Sequence, residues 1–302
     1  MDKYKQYIDM QWWNNITKRN LENWLKNFED HIEVAQLILD NVIFYNKLQL
    51  KAYTRFIVNH LKEQVYMQTI SNKQFSYVTD EILQNQWNKY LAVTNIVPAA
   101  LKSDPASSAH TIIGYWRSIL EKNSDILSVI SDIGEKYKNG IRRFVLVDDF
   151  SGSGNQMSKV LEQKIVFNQN EVRLAELPAI DKKIEIIVAV YVIHEKAKKM
   201  LEQKYPMIKI EYVDLLDDNL NYLNGNATIY EKYSYDERKK IISEIKKLSE
   251  QLLKNNVELK ELSSYILNIP IVFEHGCPNN TLLLLFAHSD KWQQLFKRGN
   301  EI

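Results

Sequence analysis

Cysteine occurs once in the sequence, at Cys277, so no disulfide can close within the chain, which suits a reducing compartment. Glycine and proline are scarce, with 8 and 6 residues, and neither appears in residues 1–90, so nothing there interrupts a helix. No charge of one sign dominates: 39 basic against 38 acidic side chains leave a formal net charge of +1, and bulk charge therefore points to neither nucleic acid nor membrane. Long apolar runs are also missing. The longest, residues 186–193, falls well short of the ~20 residues a membrane-spanning helix needs. The first residues carry no basic stretch followed by an apolar one, so no secretory leader is expected, and a cytoplasmic protein without membrane attachment is. What is present, 45% hydrophobic and 25% charged residues, suffices for a sizeable core in one large or two modest domains.

Apolar residues recur at helical spacing in the first 90 positions: Leu21, Trp24, Phe28, Ile32, Ala35 and Leu39, then Leu50, Tyr53, Ile57, Leu61 and Val65. They predict helices over residues 20–43 and 47–65, packed as a short-looped pair in an N-terminal helical region, 1–90. Beyond residue 91 the pattern changes. Strands are expected at 92–100, 143–148, 184–193 and 208–215. Helices are expected at 111–137 with a break near Asn123, at 154–165 and at 194–204. Alternating strands and helices imply an α/β fold, a parallel sheet covered on both faces. This domain spans 91–302, with a helical insertion at about 216–268. Inside the insertion, Ser234 and Glu237 form a capping box ahead of the stripe Ile241, Ile245, Leu248 and Leu252. Pro270 ends the helical region, and 271–273 reads as a final strand.

One segment carries chemistry. Phe144 to Val147 is a buried strand, Asp148 and Asp149 sit at its carboxyl end, and Gly152, Ser153, Gly154, Asn155 and Gln156 lead into a helix whose apolar face is Met157, Val160, Leu161 and Ile165. Ligands of open α/β sheets bind at the carboxyl ends of strands. Glycines let backbone N–H groups approach a phosphate, and adjacent carboxylates accept hydrogen bonds from vicinal ribose hydroxyls.

This segment resembles the motif by which type I phosphoribosyltransferases bind phosphoribosyl pyrophosphate (PRPP): four apolar residues, two acids, then a small-residue phosphate loop. The resemblance implies a phosphoribosyltransferase-like core, with Asp148 and Asp149 on the ribose hydroxyls and residues 152–156 around the 5-phosphate. Where the family usually has hydroxyl side chains, this chain has Gly152 and Gln156 and keeps Ser153. A wider likeness runs from about residue 20 to the end. The helical start, the loop from Lys102 to His110, the Asp-Asp-Phe loop, Pro278 to Leu282 and the Trp-x-x-Leu-Phe-x-Arg of Trp292 to Arg298 are similar to phosphoribosyltransferase-like proteins of bacterial conflict systems, some beside retrons. That likeness implies a defence role, with a reverse transcriptase and its DNA, or another defence-system protein, as partner. It also implies Mg²⁺ arriving with pyrophosphate, and Lys102 meeting that polyanion; read alone, Lys102 is a solvated surface lysine.

Other polar residues have simpler readings. Ser107, Ser108 and His110 could line the same loop as Lys102, but the serines read better as caps of the following helix. His194 and Glu195 could carry protons at a strand end, but read better as the surface start of a helix. Asp214, Asp217 and Asp218 follow a strand end and could meet a ligand or Mg²⁺, but read better as a solvated acidic turn. The loop from Glu274 to Asn280, with His275 and Cys277, lines a ligand by resemblance or is a turn built on Pro278-Asn279-Asn280. No metal-ligand set is read from the sequence. Trp12 and Trp13 read as core, with partner docking as the alternative.

Three functions fit. The first is an enzyme of phosphoribosyltransferase type that binds PRPP or a nucleotide and transfers or cleaves at the ribose anomeric carbon. The second is a non-catalytic nucleotide sensor or scaffold in a defence complex. The third is an S-adenosylmethionine-dependent DNA methyltransferase, because Asp149 to Gly154 also resembles the Asp-Pro-Phe-x-Gly-x-Gly motif. Here Asp148 and Asp149 replace its Asp-Pro, and no Asn/Asp-Pro-Pro-Tyr/Phe motif accompanies it.

Overall fold

The apolar stripes at the start of the chain do form helices, the first in shorter pieces than its periodicity suggests and the second in a longer one. The computed structural model describes residues 1–28, 30–72, 77–101, 107–120, 126–254, 259–260 and 266–298. Helix α1 covers Asp2–Asp9. Helix α2, Lys18–Leu25, starts at a reciprocal cap between Thr17 and Asn20. The expected helix over 20–43 is broken: a 3₁₀ turn at Lys26–Phe28 follows α2, and α3 resumes at Ile32–Asp40. The break resets the helical phase. Ile32 is exposed, while Val34, Ala35, Leu37, Ile38 and Leu39 turn inward. The short strand β1, Ile43–Tyr45, takes the end of the expected helix. Helix α4, Lys47–Ser71, runs past the expected end at residue 65, and α5 covers Asp80–Ala92.

The α/β alternation then appears as expected. Strand β2 is Thr94–Pro98, helix α6 Ala109–Leu120 and helix α7 Ile133–Lys138. Strand β3 is Arg143–Ser151 and α8 is Asn155–Leu161. Here the expected helix over 154–165 stops early. Lys164–Phe167 is β4, paired antiparallel with β5, Asn170–Arg173. The spacing from Leu161 to Ile165 fits either period, but in β4 burial alternates, with Ile165 and Phe167 inward and Val166 out. The chain continues through α9, Leu177–Ile180, then β6, Glu185–His194, α10, Glu195–Lys204, and β7, Lys209–Leu216. Helix α11, Tyr235–Lys254, begins at the expected capping box: Ser234 N–H donates to Glu237 at 2.7 Å and Glu237 N–H to Ser234 Oγ at 3.4 Å. Strand β8 is Ile271–Phe273, and α12 is Leu283–Phe286. Among the described residues, no helix is long and apolar enough to cross a membrane.

Two compact units result, residues 1–49 with 216–302, and residues 50–215. The expected boundary at residue 90 falls inside the second unit, within α5. In the first unit, α2 and α3 share a core with the buried stripe of α11 and with residues 282–287, Trp292, Leu295 and Phe296. Trp24 lies fully inside and donates its indole N–H to the Leu284 carbonyl at 2.8 Å. Strand β8 pairs in parallel with β1 in a two-stranded sheet of its own.

The second unit holds the four-stranded sheet, order β2-β3-β6-β7, with β2 and β6 both parallel to β3. One face of β3 and β6 shows Phe144, Leu146, Ile186, Val188 and Val190, packed with Met157, Val160 and Leu161 of α8 and Ala197 and Leu201 of α10. Alternation turns Val145, Val147, Ile187 and Tyr191 to the other face, where Tyr191 shares a hydrogen bond with Thr54 of α4. Each such fully buried side chain contributes on the order of 1.5–3 kcal/mol, which fixes β3 and holds its carboxyl end in place.

Candidate functional site

Strand β3 runs three residues further than expected and takes Asp149, Phe150 and Ser151 into the strand. Its register against β6 pairs Asp148 with Val190 and Ser151 with Ile193. Both acids lie toward the carboxyl end of β3, just past the last residue paired with β2, and both are buried, Asp148 at 3% exposure and Asp149 at 6%. Asp148 Oδ1 accepts the Asp149 backbone N–H at 3.0 Å. Ser108, at the start of α6, donates its hydroxyl to Asp149 at 2.8 Å and lies 3.5 Å from Asp148.

Burial, and next the charge of Asp149, pushes the Asp148 carboxyl well above the usual carboxylate range. The shift favours the protonated form of Asp148, so the pair can offer a donor as well as acceptors. A vicinal diol, whose hydroxyls each donate and accept, matches that set. Ser108 steadies Asp149 with its hydroxyl hydrogen bond.

The loop after β3 is shaped by Gly154. It has φ +78°, in the left-handed region, and stands as the N-cap of α8. A Cβ there would come 2.4 Å from Met200 Cε and 3.3 Å from Ala197 Cα. Only glycine lets the loop both turn this way and lie against α10. Gly152 is buried and Ser153 half-buried, while Asn155 and Gln156 are exposed. Ser153 Oγ accepts the Asn155 N–H at 3.3 Å. The structure thus brings Asp148, Asp149 and residues 152–156 onto one strand–loop–helix. Lys102 lies outside the described residues, as does Ser103.

Ser107 caps α6 as expected, with Oγ taking the Ala109 N–H at 3.4 Å, but Ser108 belongs to the acid pair. Some forty residues separate Ser108 from Asp149, and no local pattern links them. His194 corrects a second expectation. It does start a helix, but it is wholly buried, and only Glu195 is at the surface. Asp214 is not in a solvated turn but in β7, where its carboxylate accepts the Tyr53 hydroxyl at 2.5 Å. Asp217 caps a 3₁₀ turn at the Asn219 N–H.

In the first unit the loop from Glu274 to Asn280 is tied locally. Asn15 donates to the Phe273 and Glu274 carbonyls, the His275 ring stacks on Phe273, and Arg298 donates to Asn279 at 3.1 Å. Cys277 is buried, and its thiol is pushed up by desolvation. Trp13 is core, packed edge-on against Phe296, while Trp12 is about half exposed. Among the described residues no three His, Cys, Asp or Glu side chains converge as a metal site.

Comparison with curated proteins yields no match. The family model PRTase-CE matches residues 21–298, a span that takes in the acid pair, its loop and the whole four-stranded sheet. The chain belongs to this phosphoribosyltransferase-like family.

Proposed function

We propose that the chain binds a ribose 5-phosphate compound, PRPP or a nucleotide, at the end of β3 and transfers or cleaves at its anomeric carbon. The observation that carries this reading is the buried Asp148–Asp149 pair, steadied by Ser108 and followed at once by the left-handed Gly154 turn. The acids take the ribose hydroxyls, and the backbone amides of residues 152–156 take the 5-phosphate. Departure of a group from the anomeric carbon leaves positive charge on the sugar and negative charge on the leaving group. A preorganised carboxylate beside the ribose favours that separation. The family fold implies Mg²⁺. In this reading it enters with the pyrophosphate oxygens as part of the substrate, and Asp148 and Asp149 remain for the sugar. The setting proposed is a bacterial defence system, with a reverse transcriptase and its DNA or another defence protein as partner.

A second reading keeps the pocket and omits turnover: a nucleotide-sensing or scaffold subunit. Gly152 and Gln156, in place of hydroxyl side chains, favour it, because they leave Ser153 as the hydroxyl in mid-loop. Calorimetric titration with PRPP and a panel of nucleotides, with and without Mg²⁺, decides between them. Saturable binding lost in D148N/D149N, with product formed, supports the enzyme, and binding without product supports the sensor. Binding that survives the double substitution refutes the site. S-adenosylmethionine belongs in the same panel, since its binding would instead favour a methyltransferase.

A further inference from the structure

His194 is the last residue of β6 and has no solvent exposure. Its Nδ1 accepts the Lys196 backbone N–H at 3.2 Å, which makes it the side-chain cap of α10. Serine, threonine, aspartate and asparagine usually fill that role.

The capped helix is the surface on which the phosphate loop rests. The backbone of Ala197, one residue beyond the bonded amide, and the side chain of Met200, one turn further, are what a Cβ at Gly154 would meet. Ala197 is fully buried there. The strand register adds a second tie. Ser151, where β3 gives way to the loop, pairs with Ile193, the residue before His194. The loop therefore leaves β3 beside the point where β6 turns into α10, and the orientation of the first turn of α10 sets how far Gly154 can move.

We infer that His194 is a positioning residue for residues 152–156: by capping α10 it holds Ala197 and Met200 against Gly154 and fixes the loop that receives the 5-phosphate. The inference rests on the function proposed above for the meaning of the loop, but not for its geometry. Asparagine is the informative replacement, because its Oδ1 occupies the place of Nδ1 on Cγ and can take the same N–H, whereas alanine cannot.

The test uses the full chain and compares H194A and H194N with the parent by amide hydrogen exchange, then by PRPP titration. Expected for H194A is faster exchange at Lys196 and within residues 152–156, with the interior of β3 unchanged, and PRPP affinity lower by about fivefold, the usual scale of a lost cap. H194N restores both. Parent-like exchange in the loop of H194A overturns the inference, and so does failure of H194N to restore protection. If H194A does not fold, H194Q replaces it. Its amide lies one bond further out, so it is expected to behave as a lost cap, and a parent-like H194Q overturns the inference. A parent that binds no PRPP defeats the proposed function alone, since the exchange comparison still decides the role of His194.

Discussion

Gly154→Ala is the sharpest test of the loop because two separate costs can be read from the structure. The backbone cost comes from φ +78°. A residue with a Cβ in the left-handed region loses about 1–2 kcal/mol. The steric cost comes from α10. The nearest atom to the new methyl, 2.4 Å away, is Met200 Cε, the free end of a flexible side chain that can swing aside. The next two, Ala197 Cα at 3.3 Å and Ala197 O at 3.4 Å, are backbone and need yield only slightly. The dihedral cost therefore dominates, and the sum is about 2 kcal/mol. For a unit of roughly 150–250 residues that corresponds to a fall of about 4–8 °C in melting temperature.

Thermal unfolding of the parent, G154A, M200A and G154A/M200A separates the two costs. If the backbone dominates, shortening Met200 recovers little of the loss in the double variant. Full recovery would refute the reasoning and place the whole effect in the methyl clash. A neutral G154A would refute it more directly, by showing that the loop does not need the left-handed turn. PRPP affinity should fall with stability in G154A, since the same turn aims the loop amides.

Asp148→Asn keeps the oxygen that accepts the Asp149 N–H and removes the ionisable group. Because the folded chain raises the Asp148 pKa, that group's contribution to stability is complete below the unfolded value of about 3.9 and is lost as pH rises through the folded value. D148N should therefore be more stable than the parent at about pH 8 and gain less at about pH 5 in urea titrations, and a parallel pH profile would contradict this. Ser234→Ala removes one half of the α11 capping box and should lower stability by about 1 kcal/mol, measured by urea midpoint; no loss would mean the cap is not formed. Cys277, buried with its thiol pKa raised, should resist a thiol reagent in the folded chain and react once unfolded; rapid labelling of the folded chain would contradict its burial.

The sheet was legible where burial on both faces leaves a continuous apolar run, as in Phe144 to Val147 and Ile186 to Ile193, because no periodicity has to be decoded there. The capping box of α11 was legible because both partners lie within one turn. What escaped depends on distance or phase. The stretch after Leu25 keeps helical spacing through a 3₁₀ turn, and only the exposure of Ile32 betrays the change. Strand β1 is three residues long, and its partner β8 lies more than two hundred positions away. Asp148 and Asp149 announced themselves by following a buried strand, but Ser108 did not, since a serine before a helix reads first as a cap. His194 escaped for the opposite reason: histidine is not among the preferred N-caps, so its capping role could not be read from its position.

The acid pair also bears on whether the pocket is used. Two adjacent buried carboxyl groups oppose folding, since burial and the neighbouring charge both disfavour the ionised form of Asp148. The fold around them offsets part of this: Ser108 reaches back to Asp149, and the Asp149 amide reaches Asp148. A loop that merely joined a strand to a helix would need none of it, and replacing Asp148 by asparagine is expected to make the fold more stable. Groups that weaken the native state but suit a diol are what a binding site accumulates when ligand recognition and stability conflict. The D148N comparison therefore tests more than a pKa. Higher stability combined with lost PRPP binding is the signature of a working ribose site, whereas higher stability with nothing lost is that of a pocket whose chemistry has no remaining use.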